Sequence, residues 1–194
     1  MIKVNVINTL KTLELFEKIG TKKYFCVSTD KAANPANLMG ATKRIMEDFL
    51  QFKPWGFDVS SARFANVAFS DGSLLHGFRE RLNKRQPLSA PMDTRRYFIT
   101  PKEAGELCLV SCLFGDSGDI LIPKLSPEKD LMHFDELAVK FLGANGLSPK
   151  LMGSEQEARD YLNKNSGENF WPCYFFKSDT TGEKYFEEFF TDNE

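Results

Sequence analysis

Val4, Ile7, Leu10, Leu13 and Phe16 recur along the start of the chain with polar residues between them, and Gly20 ends the run. The spacing predicts an amphipathic helix over residues 2–18. Residues 24–28 follow as a short apolar run that ends in polar Thr29 and Asp30. This is the pattern of a buried parallel strand whose C-terminal end faces a ligand crevice. Beyond Pro35, Asn37 is placed to cap a helix reaching Phe52, with Met39, Ile45, Met46, Phe49 and Leu50 among its apolar positions. Residues 57–64 read as a second strand. Helix and strand alternating through short links predict an α/β fold with a mostly parallel, doubly wound sheet and right-handed crossovers.

The later pattern is less regular. It predicts a helix over 73–84, strands over 87–90 and 96–100, a helix over 101–114 with Pro101 in its first turn, and a strand over 118–123. Helices follow over 134–142 and, after a Ser154 cap, over 155–163. From Asn165 onward no element is assigned. The tail holds Phe170, Trp171, Tyr174, Phe175, Phe176, Tyr185, Phe186, Phe189 and Phe190, which is too aromatic for plain disorder. No internal repeat or low-complexity linker is present.

Composition adds limits. With 194 residues and 42% hydrophobic content the chain can bury a real core. Its net charge of −2 supplies no field toward nucleic acid or an anionic membrane, so an anionic ligand must be held by local charges. The most apolar stretch, 107–114, is far shorter than the roughly 20 residues of a membrane span, and residues 1–20 carry charges throughout. A cytoplasmic location is expected. Cys26, Cys108, Cys112 and Cys173 form no CxxC pair, and the histidines are His76 and His133 alone. Reduced thiols and no metal site are expected.

One segment concentrates chemistry. A strand ending in Ser28, Thr29, Asp30 and Lys31 leads through a proline loop to a helix with Met39 and Lys43 four apart on one face. An acid, an amine and a hydroxyl are thereby brought near one another. Taken alone, the same residues also suit a solvated strand end or helix cap.

Here the chain resembles a known family. The run VSTDKAANPANLMGATKRIMEDFL is very similar to the active-site segment of UDP-N-acetylglucosamine 4,6-dehydratases of the polysaccharide-biosynthesis (CapD-like) group, which are extended short-chain dehydrogenases/reductases. The likeness continues through ARFANVAFSDGSLL and DTRRYFITPKEAGEL to SDTTGEKYFEEFF, and covers essentially the whole chain, but only the family's second half. It implies the C-terminal part of a Rossmann-type sheet with a smaller α/β substrate-binding portion. Residues 1–123 would form the partial catalytic region with interleaved substrate-binding segments, and residues 124–194 the substrate-side portion and aromatic tail. The implied reaction moves hydride from carbon 4 of the hexose to NAD or NADP, removes the carbon-5 proton, expels water from carbon 6 and returns the hydride there.

Carried over by position, the resemblance makes Asp30 the acid for the leaving hydroxyl and Lys31 the base at carbon 5. Thr29 would hold the oxygen on carbon 4, and Lys43 the nicotinamide ribose. A free lysine titrates near ~10.4, so a basic Lys31 calls for burial or a neighbouring cation such as Lys43. Short-chain dehydrogenases usually place tyrosine four residues before the lysine; Met39 stands there and cannot exchange a proton. Ser28, Met39, Asn66 and Val67 are further cofactor-side candidates, and Asn66, Arg95 and Arg96 substrate-side ones. Guanidinium suits a pyrophosphate, and adjacent arginines on a strand point apart, so one of the two faces the ligand, with Arg96 favoured. Asn5 matches an asparagine that steadies the active-site helix through backbone contacts.

The glycine-rich turn that would cradle the cofactor pyrophosphate is not in this sequence. The expectation is a fragment, a misplaced start or a protein that pairs with a separate N-terminal half, with apolar surface left exposed on the first helix. A UDP-sugar is the expected partner, without nucleic acid or membrane, and self-association is expected of the aromatic tail. An epimerase of the same fold, or a non-catalytic scaffold or partner subunit, remains the alternative.

Overall fold

The computed structural model describes residues 1–165, 169–179, 184–191 and 194. The first apolar run winds as a π-helical stretch, Lys3–Asn8, that continues as α1 (Thr9–Ile19). Gly20 closes it with φ of 74°, a left-handed geometry that costs glycine little. Next come β1 (Lys23–Thr29), a 3-10 turn (Asp30–Ala32), α2 (Leu38–Gln51), β2 (Asp58–Phe64) and β3 (Asn66–Val67). The chain continues as α3 (Leu74–Asn83), β4 (Leu88–Pro91), β5 (Arg95–Ile99), α4 (Pro101–Phe114) and β6 (Ile120–Leu121). It finishes with α5 (Pro127–Asp130), β7 (Leu131–His133), α6 (Phe134–Ala144), β8 (Ser148–Leu151), α7 (Glu155–Lys164) and β9 (Phe170–Phe176).

These elements form two compact units. The first comprises Met1–Ala65, Ile99–Leu125 and Gly182–Glu194, the second Asn66–Phe98 and Ser126–Thr181. In the first, β1, β2 and β6 make a parallel sheet, with Lys23 opposite Asp58 and Thr29 opposite Phe64. The fold is α/β, and β1–α2–β2 is a parallel crossover of the Rossmann kind. Alternation along β2 explains the layers. Val59 packs with Leu13 of α1 and Leu50 of α2 on one face, while on the other the Ser60 hydroxyl donates to the Ser111 carbonyl of α4 at 2.8 Å. At Gly115 a Cβ would come within 2.9 Å of the Ser60 Cβ, so the end of α4 approaches the sheet closely only because a side chain is missing there.

In the second unit β4, β9 and β8 form a parallel sheet, and β3, β5 and β7 a smaller one in which β5 and β7 run antiparallel. Phe78 of α3, Leu88 of β4, Leu142 of α6 and Cys173 of β9 share its core.

The predicted helices are all present. The strand expected over 118–123 contracts to two residues, and Asn66–Val67, to which no element is assigned from sequence, pairs as β3. The elements α5, β7 and β8 were not foreseen. The aromatic tail supplies β9, the central strand of its sheet. Residues 180–183 of the SDTTGEKYFEEFF run lie outside the described residues. Ile2, Val4, Ile7, Leu15 and Ile19 of the first helical segment are exposed, as are Leu109, Leu113 and Phe114 of α4.

Candidate functional site

The C-terminal end of β1 gathers Thr29, Asp30 and Lys31. Extended Thr29 turns the chain into the 3-10 stretch, and its hydroxyl donates to Asp30 Oδ1 at 2.8 Å while accepting from the Lys31 amide at 3.5 Å. The same Oδ1 accepts from the Lys31 amide at 2.8 Å and from the Lys31 ammonium at 3.0 Å. The Asp30 side chain is fully buried and that of Lys31 is 20% exposed. Asp30 Oδ2 has no hydrogen-bond partner among the described residues, and neither does the buried Ser28 hydroxyl. A carboxylate oxygen or hydroxyl left so costs free energy unless a ligand or water meets it.

Helix α2 presents Lys43 to the same strand. Asn37 caps it by accepting from the Gly40 amide at 3.0 Å. A Cβ on Gly40 would lie 2.4 Å from the Lys31 carbonyl oxygen, so glycine is what lets the helix start against the Asp30–Ala32 turn. Lys43 Nζ donates to the Val27 carbonyl at 2.9 Å and approaches Met46 Sδ at 3.6 Å. Lys31 is thus paired with Asp30, and Lys43 is held on the β1 backbone. Met39 is half-buried and offers only its carbonyl, which accepts from the Thr42 hydroxyl at 3.0 Å. Asn5 donates to that hydroxyl at 3.0 Å. It thus steadies α2 through a side chain, not through the backbone.

Sequence reasoning missed the largest buried charge. Arg63 of β2, with a side chain 2% exposed, donates to both Glu47 oxygens at 3.0 and 2.7 Å, to both Glu194 oxygens at 2.7 Å and to the Phe189 carbonyl at 2.7 Å. Burial works against its charge, but the hydrogen bonds to Glu194 and Glu47 outweigh that and raise its pKa. The bond from Arg63 brings the Glu194 carboxyl down to about 2, against the opposing effect of burial and with help from Arg44, which also pairs with it. A cavity of about 470 Å³ adjoins this network, lined in part by Arg44, Gln51, Ile120 and Phe190. An arginine inside a strand of the parallel sheet was the one signal in the sequence. Near it, burial pushes the Cys26 thiol up, with the Tyr24 hydroxyl and the Lys43 charge acting the other way.

Asn66, Val67, Arg95 and Arg96 belong to the second unit. The Asn66 amide donates to the Tyr97 carbonyl at 3.2 Å, which ties β3 to β5. Arg96 is buried, donates to the Arg95 carbonyl at 2.8 Å and lies 5.9 Å from the centre of the Phe134 ring. Arg95 is half-buried. Among the described residues no group of acidic, histidine and cysteine side chains suits a metal ion, and no helix is long and apolar enough to cross a membrane. The four cysteines are free.

A family model described as polysaccharide biosynthesis protein matches residues 1–194. The chain is 34% identical over 152 residues to an uncharacterized membrane protein of Methanocaldococcus jannaschii, covering 72% of this chain and 45% of that protein. It is 31% identical over 143 residues to an inverting UDP-N-acetylglucosamine 4,6-dehydratase of Campylobacter jejuni, covering 68% and 42%. The chain thus spans less than half the length of these relatives. A crystal structure of the dTDP-glucose 4,6-dehydratase DesIV from Streptomyces venezuelae with NAD bound shares the fold, with a TM-score of 0.71 at 15% identity over 96% of this chain and 56% of that one. With every residue matched by the family model, the chain belongs to the polysaccharide biosynthesis protein family.

Proposed function

We propose that this chain carries the acid–base centre of a nucleotide-sugar 4,6-dehydratase that converts UDP-N-acetylglucosamine to a 4-keto-6-deoxy sugar for bacterial surface polysaccharide or nonulosonic-acid synthesis. The observation that carries the reading is the Thr29–Asp30–Lys31 cluster, with Asp30 Oδ2 buried and uncommitted. The likeness to the Campylobacter dehydratase supports it.

Elimination of water needs a base at carbon 5 and an acid at the carbon-6 hydroxyl. Lys31 takes the first role and Asp30 the second. Loss of the carbon-5 proton to Lys31 and gift of a proton from Asp30 leave an ammonium beside a carboxylate, which is the ion pair seen at 3.0 Å. One proton shift across that contact restores neutral amine and carboxylic acid. Thr29 hydrogen-bonds the oxygen on carbon 4.

NAD or NADP, when bound, supplies the reversible acceptance of hydride. The residues present suit its ribose, since the buried Ser28 hydroxyl is uncommitted and Lys43 carries an ammonium donor on the neighbouring backbone. Met39 would line the nicotinamide side.

The test is product analysis by NMR after an enzyme that joins this chain to a glycine-rich cofactor turn is incubated with UDP-N-acetylglucosamine and NAD or NADP. Loss of the carbon-6 hydroxyl is expected. A product that keeps this hydroxyl and is inverted at carbon 4 would replace the reading with an epimerase.

A further inference from the structure

Lys43 and Glu47 stand one turn apart on α2, and each is tied to a different strand. Lys43 Nζ holds the Val27 carbonyl on β1, and Glu47 holds Arg63 on β2 through two hydrogen bonds. The strands are in fixed register, with Val27 opposite Ala62 and Ser28 opposite Arg63. The helix is therefore pinned at two neighbouring points of one sheet, and moving one displaces the other. Glu47 spends one carboxylate on an arginine that offers further donors, and those are taken by the Phe189 carbonyl and the Glu194 side chain, 126 and 131 residues away in sequence. Arg44, on the same helix, also reaches Glu194. One carboxylate thus bridges a guanidinium on β2 and a guanidinium on α2.

We propose that Arg63 and Glu194 are positioning residues: the Phe189 carbonyl and the Glu194 carboxylate strap α2 to β2 and so fix where Lys43 stands over the end of β1. The alternative role for such a network is stability alone. Buried ion pairs often add little of it compared with apolar packing, and in some proteins they fix one arrangement among several. The bidentate geometry at both carboxylates is of the kind that sets orientation. The meaning of this strap for turnover rests on the dehydratase reading above, but its geometry does not.

The test is the rate at which Lys43 reacts with an amine-modifying ester in the whole protein, read by peptide mass spectrometry and divided by the rate at Lys53, an exposed lysine of the same unit just past α2. Glu194→Ala leaves the Arg63–Glu47 pair in place and is expected to raise the ratio about tenfold, with Glu194→Gln in between, because an amide still accepts a hydrogen bond. Arg63→Lys keeps the charge but loses the fork and is expected to raise the ratio as well. An unchanged ratio in folded Glu194→Ala protein, whatever its melting temperature, would overturn the proposal. Because no turnover is measured, failure here leaves the dehydratase reading standing, and failure to form a 4-keto product leaves the strap standing.

Discussion

Ser28 and Arg63 lie side by side in the parallel register of β1 and β2. The residue that precedes the Thr29–Asp30–Lys31 cluster is therefore braced by the strand that carries a buried guanidinium. Removing that guanidinium leaves Glu47, 2% exposed, without its partner. Arg63→Ala is expected to cost about 3–5 kcal/mol, the range for breaking a buried pair. Arg44→Ala, at a side chain 37% exposed, should cost about 1 kcal/mol or less. Urea unfolding curves of the two variants compare these directly.

Acid should loosen the same network. The Glu194 carboxyl is lowered from an ordinary 4.5 to about 2, chiefly by its bond to Arg63. A depressed acid contributes stability that is fully present above its unfolded value and is lost as the pH falls through its folded one. Melting temperature is therefore expected to drop between pH 4.5 and 2 in the native chain. In Glu194→Gln the drop should be shallower, starting from a lower plateau at neutral pH.

Gly40 offers a steric test. A methyl group there meets the Lys31 carbonyl at 2.4 Å, backbone that cannot swing aside like a side chain. Gly40→Ala is expected to destabilise by about 1–3 kcal/mol, the usual cost of overpacking, although alanine is the better helix former. Gly77→Ala on α3, with open space around it, should be neutral or stabilising. Thermal unfolding of the pair decides.

Cys173 sits in the core of the second unit, and burial pushes its thiol up to about 11. It should stay unlabelled by a disulfide reagent at pH 8 while the protein is folded, and react once urea unfolds it. Peptide mapping of the labelled protein reads the outcome.

What the sequence disclosed follows from the range of the signals. The first helix, β1, α2 and β2 each carry their period within fifteen or so residues, and the caps at Asn37 and Ser154 are local hydrogen bonds to the third residue on. The Thr29–Asp30–Lys31 turn was legible for the same reason. The partners of Arg63 were not, since Glu194 is 131 positions away and nothing local marks it. β8 and β9 contain Pro149 and Pro172, a residue type that cannot donate to a strand ladder, so their local pattern does not mark strands. Pro172 is tolerated in a central strand because pairing with β4 begins one residue later, at Leu88 opposite Cys173. β3 was hidden because it is two residues long and is tied to β5 by the Asn66 side chain on the Tyr97 carbonyl, a contact made across 31 residues.

Asp30 and Lys31 carry the proposed acid and base roles, and the most direct measurement is formation of the 4-keto-6-deoxy product from UDP-N-acetylglucosamine by an enzyme complete with a glycine-rich cofactor turn that carries Asp30→Asn or Lys31→Ala, its folding checked by circular dichroism. Each is expected to fall by about 100-fold or more, the usual contribution of a positioned proton donor or acceptor. Turnover near the unsubstituted rate in either variant would contradict the account.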